Sequence, residues 1–390
     1  MTMKVLEDRG TPVDRQRFTW RERSPKPISK LDDDAFTRVR IILMNGVEHE
    51  ALRFQHAVAR FNPELRLPLA QIRQVEHQQG NVVNWLIGAD HSPLETTIGY
   101  EQTAIEVTAA MALREPDAYV AQTLRFGLLE DFDHLYRYSA LLDRLEGKDA
   151  NNITQSYTDI VPGRPTRIEH RYADDNLRRP VVTLASHPLT KLHALTITAG
   201  EQQTHNYYMN VGPLFADPLA RQLYAEIASI EEQHVTQYES LLDPTQSFLE
   251  QWLMHEAMEV YNYWSCVQQE SNPHIKGIWE RMLDYEQGHL YAVAELFKKA
   301  TQRDPFEVLP ETLPEPLPYE SQREFVRKVL VEEVDMRSRG TEYVGPDEES
   351  EATLAYREYV HSNGVPSDDV AAGYHYQPGT ELSRPTPQAA

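Results

Sequence analysis

Two short stretches place a carboxylate three residues before an imidazole. "SIEEQH" gives Glu231 and His234, and "DYEQGH" gives Glu286 and His289. Residues three apart share a helix face, so each pair can point at one ligand. With 15 His and 60 Asp plus Glu in the chain, about one or two such matches arise by chance. The spacing behind the pairs carries more weight. The interval from Glu201 to Glu231 is the same as that from Glu256 to Glu286. The flanks agree as well, "EQQTHNYY" against "EAMEVYNY". The unit is an internal repeat: a helix with a Glu, a Pro-marked break, then a helix with Glu-x-x-His.

Two such hairpins make a four-helix bundle with four carboxylates and two imidazoles in its core. That donor set suits two divalent ions, whose charge of about +4 the carboxylates neutralise, with two of them bridging and one imidazole capping each ion. Without metal, the acids would repel one another and their pKa values would rise. The expected ligands are Glu201, Glu231, His234, Glu256, Glu286 and His289.

The plan recurs upstream in eroded form. Glu101 is followed at the same interval by Asp131 and then by His134. Glu48 is followed at a slightly shorter interval by Glu76, with Gln79 where the pattern wants His. These six residues read as a second bundle. An amide is a poor substitute for imidazole, and Asp reaches less far than Glu, so its site is expected to be weakened or empty and kept for packing. The competing reading is an altered metal site helped by His77 or Glu130.

The elements that must position these residues follow from periodicity. Residues 1–34 read as a polar arm. Apolar residues recur at helical spacing over 35–146 and again over 193–301, with Pro63 and Pro116 expected to start second helices. Residues 147–192 lose the pattern and read as a linker or functional loop. From 302 to 390 the chain is proline-rich and extended, with short helices expected at about 319–338 and 349–362; its last stretch, "GYHYQPGTELSRPTPQAA", reads as loose. The expected fold is all-α: two tandem four-helix bundles and an extended tail.

The formal net charge is −22, which argues against nucleic acid or an anionic membrane as partner. The lone cysteine, Cys266, permits no intrachain disulfide and no Cys-x-x-Cys site, and it reads as a small buried residue. No signal core and no long apolar run is present, so a cytoplasmic location is expected. His205, His255 and His274 do not fit the repeat and read as surface or supporting groups. Tyr207, Tyr261, Tyr263 and Trp264 read chiefly as packing.

The stretches "AGEQQTHNYY", "EIASIEEQHV", "HEAMEVYNYW" and "LDYEQGHLYAV" resemble the rubrerythrin branch of the ferritin-like superfamily, over under a third of the chain. The resemblance implies Glu201 and Glu256 as terminal ligands, Glu231 and Glu286 as bridges, and His234 and His289 as nitrogen ligands. It also implies an added carboxylate at Glu259, able to exchange with a histidine, and a supporting tyrosine at Tyr208, both near the reacting atoms. Two iron ions are implied, two manganese ions being the alternative. The chain lacks the two Cys-x-x-Cys motifs that rubrerythrins use for a rubredoxin-type site, so an external electron donor is implied. The expected function is a di-metal oxidoreductase of peroxide or O2, a role in oxidative stress, forming a homo-oligomer. Manganese catalase and ferroxidase or iron-storage chemistry are the alternatives, and a structural or assembly protein on the same scaffold is the reading from another class.

Overall fold

The computed structural model describes residues 2–377, and they are predominantly helical. Eight long helices form four hairpins. These are α1 (Ala35–Phe61) with α2 (Arg66–Trp85), α3 (Pro93–Arg114) with α4 (Ala118–Glu146), α6 (Pro188–Val211) with α7 (Pro218–Glu239), and α8 (Phe248–Gln269) with α9 (Pro273–Thr301); α5 (Asn151–Thr154) is a single turn between the second and third hairpins. Helix starts are written in side chains. Ser92 with Glu95, and Ser247 with Glu250, form reciprocal capping boxes, which satisfy backbone N–H groups that the first helical turn leaves free. Pro63 opens a 3-10 turn leading into α2, whereas α4 begins two residues after Pro116, capped by Asp117.

The first helix of each hairpin lies in the middle of the molecule. Residues 35–48 of α1 and 252–266 of α8 are buried without a break. Helix α1 packs on α3, α6 and α8, and α6 packs on α3 and α8. The α1–α6 contact is close because it uses small residues: a methyl group on Gly46 would sit 3.0 Å from the Ala199 carbonyl oxygen. Beside it, Asn45 donates to Gln203, and Gln203 Nε2 donates to the Ile42 carbonyl at 2.7 Å. One apolar cluster joins the first and fourth hairpins and reaches into the other two, and a second cluster joins the second hairpin to the third. The expected partition into bundles 35–146 and 193–301 is therefore not followed, because hairpins from the two halves interleave.

The segments expected as arm, linker and tail pack onto this body. The N-terminal arm runs beside the proline-rich stretch, with Val5 N–H donating to Glu311 O at 3.0 Å and Leu313 N–H to Met3 O at 2.9 Å. It then crosses α9 so closely that a methyl group on Gly288 would collide with the Thr11 carbonyl oxygen. Residues 155–187 form a strap over α4 and α7, in which a methyl group on Gly163 would collide with the Leu129 carbonyl oxygen. Beyond the stretch, α10 (Arg323–Glu333) ends before the expected 338. Residues 337–344 instead form an antiparallel hairpin of β1 (Arg337–Arg339) and β2 (Glu342–Val344), turning at Gly340 with φ +55°. Helices α11 (Glu351–Val360) and α12 (Pro366–Ala371) follow, and α12 packs on α7 and α4. Of the stretch expected to be loose, residues 378–390 lie outside the described residues. No helix among the described residues is long and apolar enough to cross a membrane.

Two glycines of α9 should respond oppositely to alanine. Gly288→Ala forces the arm off the helix and should cost about 1–3 kcal/mol. Gly277 faces open space, so Gly277→Ala should stabilise by about 0.5–1 kcal/mol through helix propensity. Urea melts of the two variants check this; equal effects would contradict the close arm contact.

Candidate metal centres

The repeat residues converge in two buried cages, each drawing on both halves of the chain. The first cage lies among α3, α4, α6 and α7. Glu101, Asp131, His134 and Glu231 offer donor atoms within 4.8 Å of one another, and so do Asp131, Glu201, Glu231 and His234. The two quartets share Asp131 and Glu231. Two adjacent cation positions therefore have common carboxylates between them and a private Glu and His on each side.

The imidazoles are held from behind. His134 Nδ1 faces Glu231 at 3.0 Å, while its Nε2 faces Glu169 of the strap at 2.9 Å. His234 Nδ1 lies 3.3 Å from both Asp131 and Glu231, while its Nε2 faces Glu130 at 2.8 Å. Glu130 is in turn gripped by Arg171 at 2.5 Å and Arg164 at 3.1 Å. A carboxylate behind the ring fixes the orientation in which Nδ1 offers a lone pair to a metal. Tyr208 O–H donates to Glu101 at 2.5 Å.

Several inward atoms lack a hydrogen-bond partner: both oxygens of Asp131 and of Glu201, one each of Glu101 and Glu231, and His234 Nδ1. Unpaired buried acids are costly, and the residues respond by holding protons. Burial, added to by Glu201, pushes Asp131 well above the usual carboxylate range. Burial outweighs the help of His234 and raises Glu201 to about 7. Glu231 goes the other way: burial would raise it, but the hydrogen bond to His134 and the adjacent ring of His234 hold it at about 2. Burial would likewise lower His134 and His234, yet the carboxylates around them push both upward. Protons thus occupy positions that cations would fill, and the donor set fits a pair of divalent ions.

The second cage lies among α1, α2, α8 and α9. Glu76, Glu256, Glu286 and His289 form its one quartet. His289 Nδ1 faces Glu286 at 3.1 Å, and its Nε2 meets Gln16 of the arm at 2.6 Å. On the far side stand Glu48, bonded by Tyr263 O–H, and Gln79, whose amide donates to Glu286 at 2.5 Å. Both oxygens of Glu259 and one of Glu48 are unpartnered. Burial first, then Glu286 and Glu76, push Glu259 well above its ordinary range. The set fits one ion fully; the other position has more anionic oxygen but an amide in place of imidazole.

These positions correct several expectations. Glu201, Glu231 and His234 do not share a site with Glu256, Glu286 and His289. Glu48, Glu76 and Gln79 do not share one with Glu101, Asp131 and His134. The regular spacing of Glu and Glu-x-x-His fixes which face of each hairpin is acidic but not which other hairpin it meets. Every hairpin has an inward first helix, and the small residues of α1 and α6 bring the two halves together there. The upstream residues accordingly complete the downstream ones instead of forming a decayed copy. Tyr208 and Glu259, expected around one centre, serve different cages: Tyr208 bonds Glu101 in the first, and Glu259 faces Glu286 and Glu76 in the second. His77 and His274 are exposed, and His255 is buried against Phe54 with ring centroids 4.0 Å apart. Glu130 supports His234 from outside the ligand set. Tyr263, expected as packing, bonds Glu48. Cys266 is buried, as expected.

Glu169, Arg164, Arg171 and Gln16 were not anticipated. They lie in text without periodicity, and no spacing rule links them to the repeat. No protein-family model, curated protein or solved structure matches the chain.

A pH dependence follows. Glu76, Glu169 and Glu201 sit at about 7 in the metal-free fold against an ordinary 4.5. A carboxylate raised on folding binds more protons folded than unfolded between those values, so stability falls as pH rises through the window. The thermal midpoint of metal-free protein should drop between about pH 5 and pH 7. Saturating divalent metal, which requires ionised ligands, should raise the midpoint more at about pH 7 than at about pH 5. A pH-independent metal effect would contradict the proton-filled cages.

Proposed function

We propose that this chain is a di-metal carboxylate oxidoreductase of ferritin-like, rubrerythrin-like design that acts on peroxide or O2 at the first cage. The observation that carries this reading is the sharing of Asp131 and Glu231 by two buried quartets, each completed by its own Glu and His. A mononuclear site needs no such sharing, and a structural core gains nothing from orphaned carboxylates.

Two iron ions, or two manganese ions, would supply the electrons and Lewis acidity for cleaving or forming an O–O bond. The chain supplies the rest. Asp131 and Glu231 would bridge, Glu101 with His134 and Glu201 with His234 would cap, and Glu130 and Glu169 keep Nδ1 of each ring turned inward. Tyr208 holds a proton on its O–H 2.5 Å from Glu101, which would orient that carboxylate toward an ion. Burial of all six ligands keeps bulk water away. The second cage would hold at least one more ion through Glu76, Glu256, Glu286 and His289, with Glu48 and Glu259 as added anions.

The supply of electrons favours a second reading of the same centre. The only thiol in these 390 residues is Cys266, buried and pushed up to about 12 by that burial. No thiolate-ligated relay is available within these residues. Either an external donor serves a peroxidase, or peroxide disproportionates without one, as in a manganese catalase.

Mass spectrometry of the purified protein should find bound iron or manganese. Asp131→Ala should lose about two ions per chain and His289→Ala at least one. Peroxide consumption with a reductant supports the peroxidase, and O2 release without one supports the catalase. Absence of iron and manganese from the wild type, or an unchanged number of bound ions in Asp131→Ala, would sink the metal reading.

A further inference from the structure

A third cluster lies away from both cages, where the C-terminal segment crosses the strap. His170 of the strap, Glu226 of α7 and His361, the residue after α11, each offer a donor atom within 4.8 Å of the others. His170 is 3% exposed and neither of its ring nitrogens has a hydrogen-bond partner. Its Nε2 is 3.6 Å from Glu226 Oε1, too long for a hydrogen bond. Its ring meets that of His361 edge-on, with centroids 5.1 Å apart. All three residues line one cavity of about 370 Å³ that opens to solvent.

The surrounding bonds prepare these groups for a cation. Glu226 is anchored by Ser367, whose N–H donates at 2.7 Å and whose O–H donates at 3.0 Å. His361 Nε2 lies 2.9 Å from the Arg167 carbonyl. A carbonyl can only accept, so Nε2 carries the proton and Nδ1 keeps its lone pair. An imidazole as deeply buried as His170 ordinarily finds a partner; this one faces a carboxylate and a second imidazole across a gap.

We propose that His170, Glu226 and His361 form a mononuclear site for a zinc-type divalent ion. Two imidazoles and a carboxylate are a zinc ligand set, with bonds of about 2.0–2.1 Å and a fourth position left to water. Small side-chain rotations close the three donors onto such an ion. The ion ties three separate parts of the chain: the strap, α7 and the turn between α11 and α12. Its reach extends to the first cage, because the neighbours of His170 are Glu169, behind His134, and Arg171, which grips Glu130. The site is a clasp on the segment that orients both histidines of the dinuclear centre, and it stands whether or not that centre performs redox chemistry.

His361 is only partly buried, so His361→Ala tests the site with little risk to folding; Glu226→Gln is the second variant. Chelator-stripped full-length proteins are titrated with zinc alone and bound zinc is counted by mass spectrometry after desalting. Both variants should retain one zinc fewer than wild type. In wild type, zinc at about ten times its dissociation constant should slow protease cleavage within residues 345–377 about tenfold, and it should have no such effect in the variants. Equal zinc content in wild type and His361→Ala would overturn the proposal, as would zinc-independent cleavage of the wild-type segment.

Discussion

Burying carboxylates next to one another is the constraint on which this molecule turns. The side chains of the two cages, from Glu48 to His289, sit almost wholly out of water. Each ionised acid in such a place loses its hydration and meets its neighbours' charge. Only cations, protons or hydrogen-bond donors relieve this, and the chain provides too few donors. What it provides instead is rigidity behind the ligands: Glu130 and Glu169 at the histidines of one cage, Gln16 at the histidine of the other, and arginines behind Glu130.

This backing gives the irregular segments their purpose. The arm at Gln16 and the strap at Glu169 are equivalent in role though unrelated in sequence. Each approaches an outer helix at a glycine, Gly288 or Gly163, where no side chain could fit, and each ends on the Nε2 of a ligand histidine. Tethering by backbone proximity sets the ring orientation more firmly than a surface side chain would, since long side chains retain rotamer freedom.

The helices and their inward faces were legible because both are local: apolar spacing, capping serines and the repeated Glu-to-Glu interval all act within one hairpin. The residue types of the cages were legible for the same reason. The pairing was not. Glu101 meets Glu231 and Glu48 meets Tyr263 because four equivalent helices share one central layer, and an interval repeated in every hairpin says nothing about which hairpins touch. Gln16 and Glu169 were hidden by the opposite cause, as each is a single residue in aperiodic text whose meaning depends on a contact far along the chain.

The interleaving of hairpins also sets an order of events during synthesis. The first cage is complete once α7 has emerged, because its hairpins are consecutive. The second must wait: α1 and α2 are made first, yet their partners α8 and α9 arrive last of the eight long helices. Until then Glu48 and Glu76 remain hydrated on an unfinished surface, and the apolar face of α1 has only α3 and then α6 to cover it. Because each cage joins a hairpin from each half, a chain cut between the two halves would leave neither cage whole.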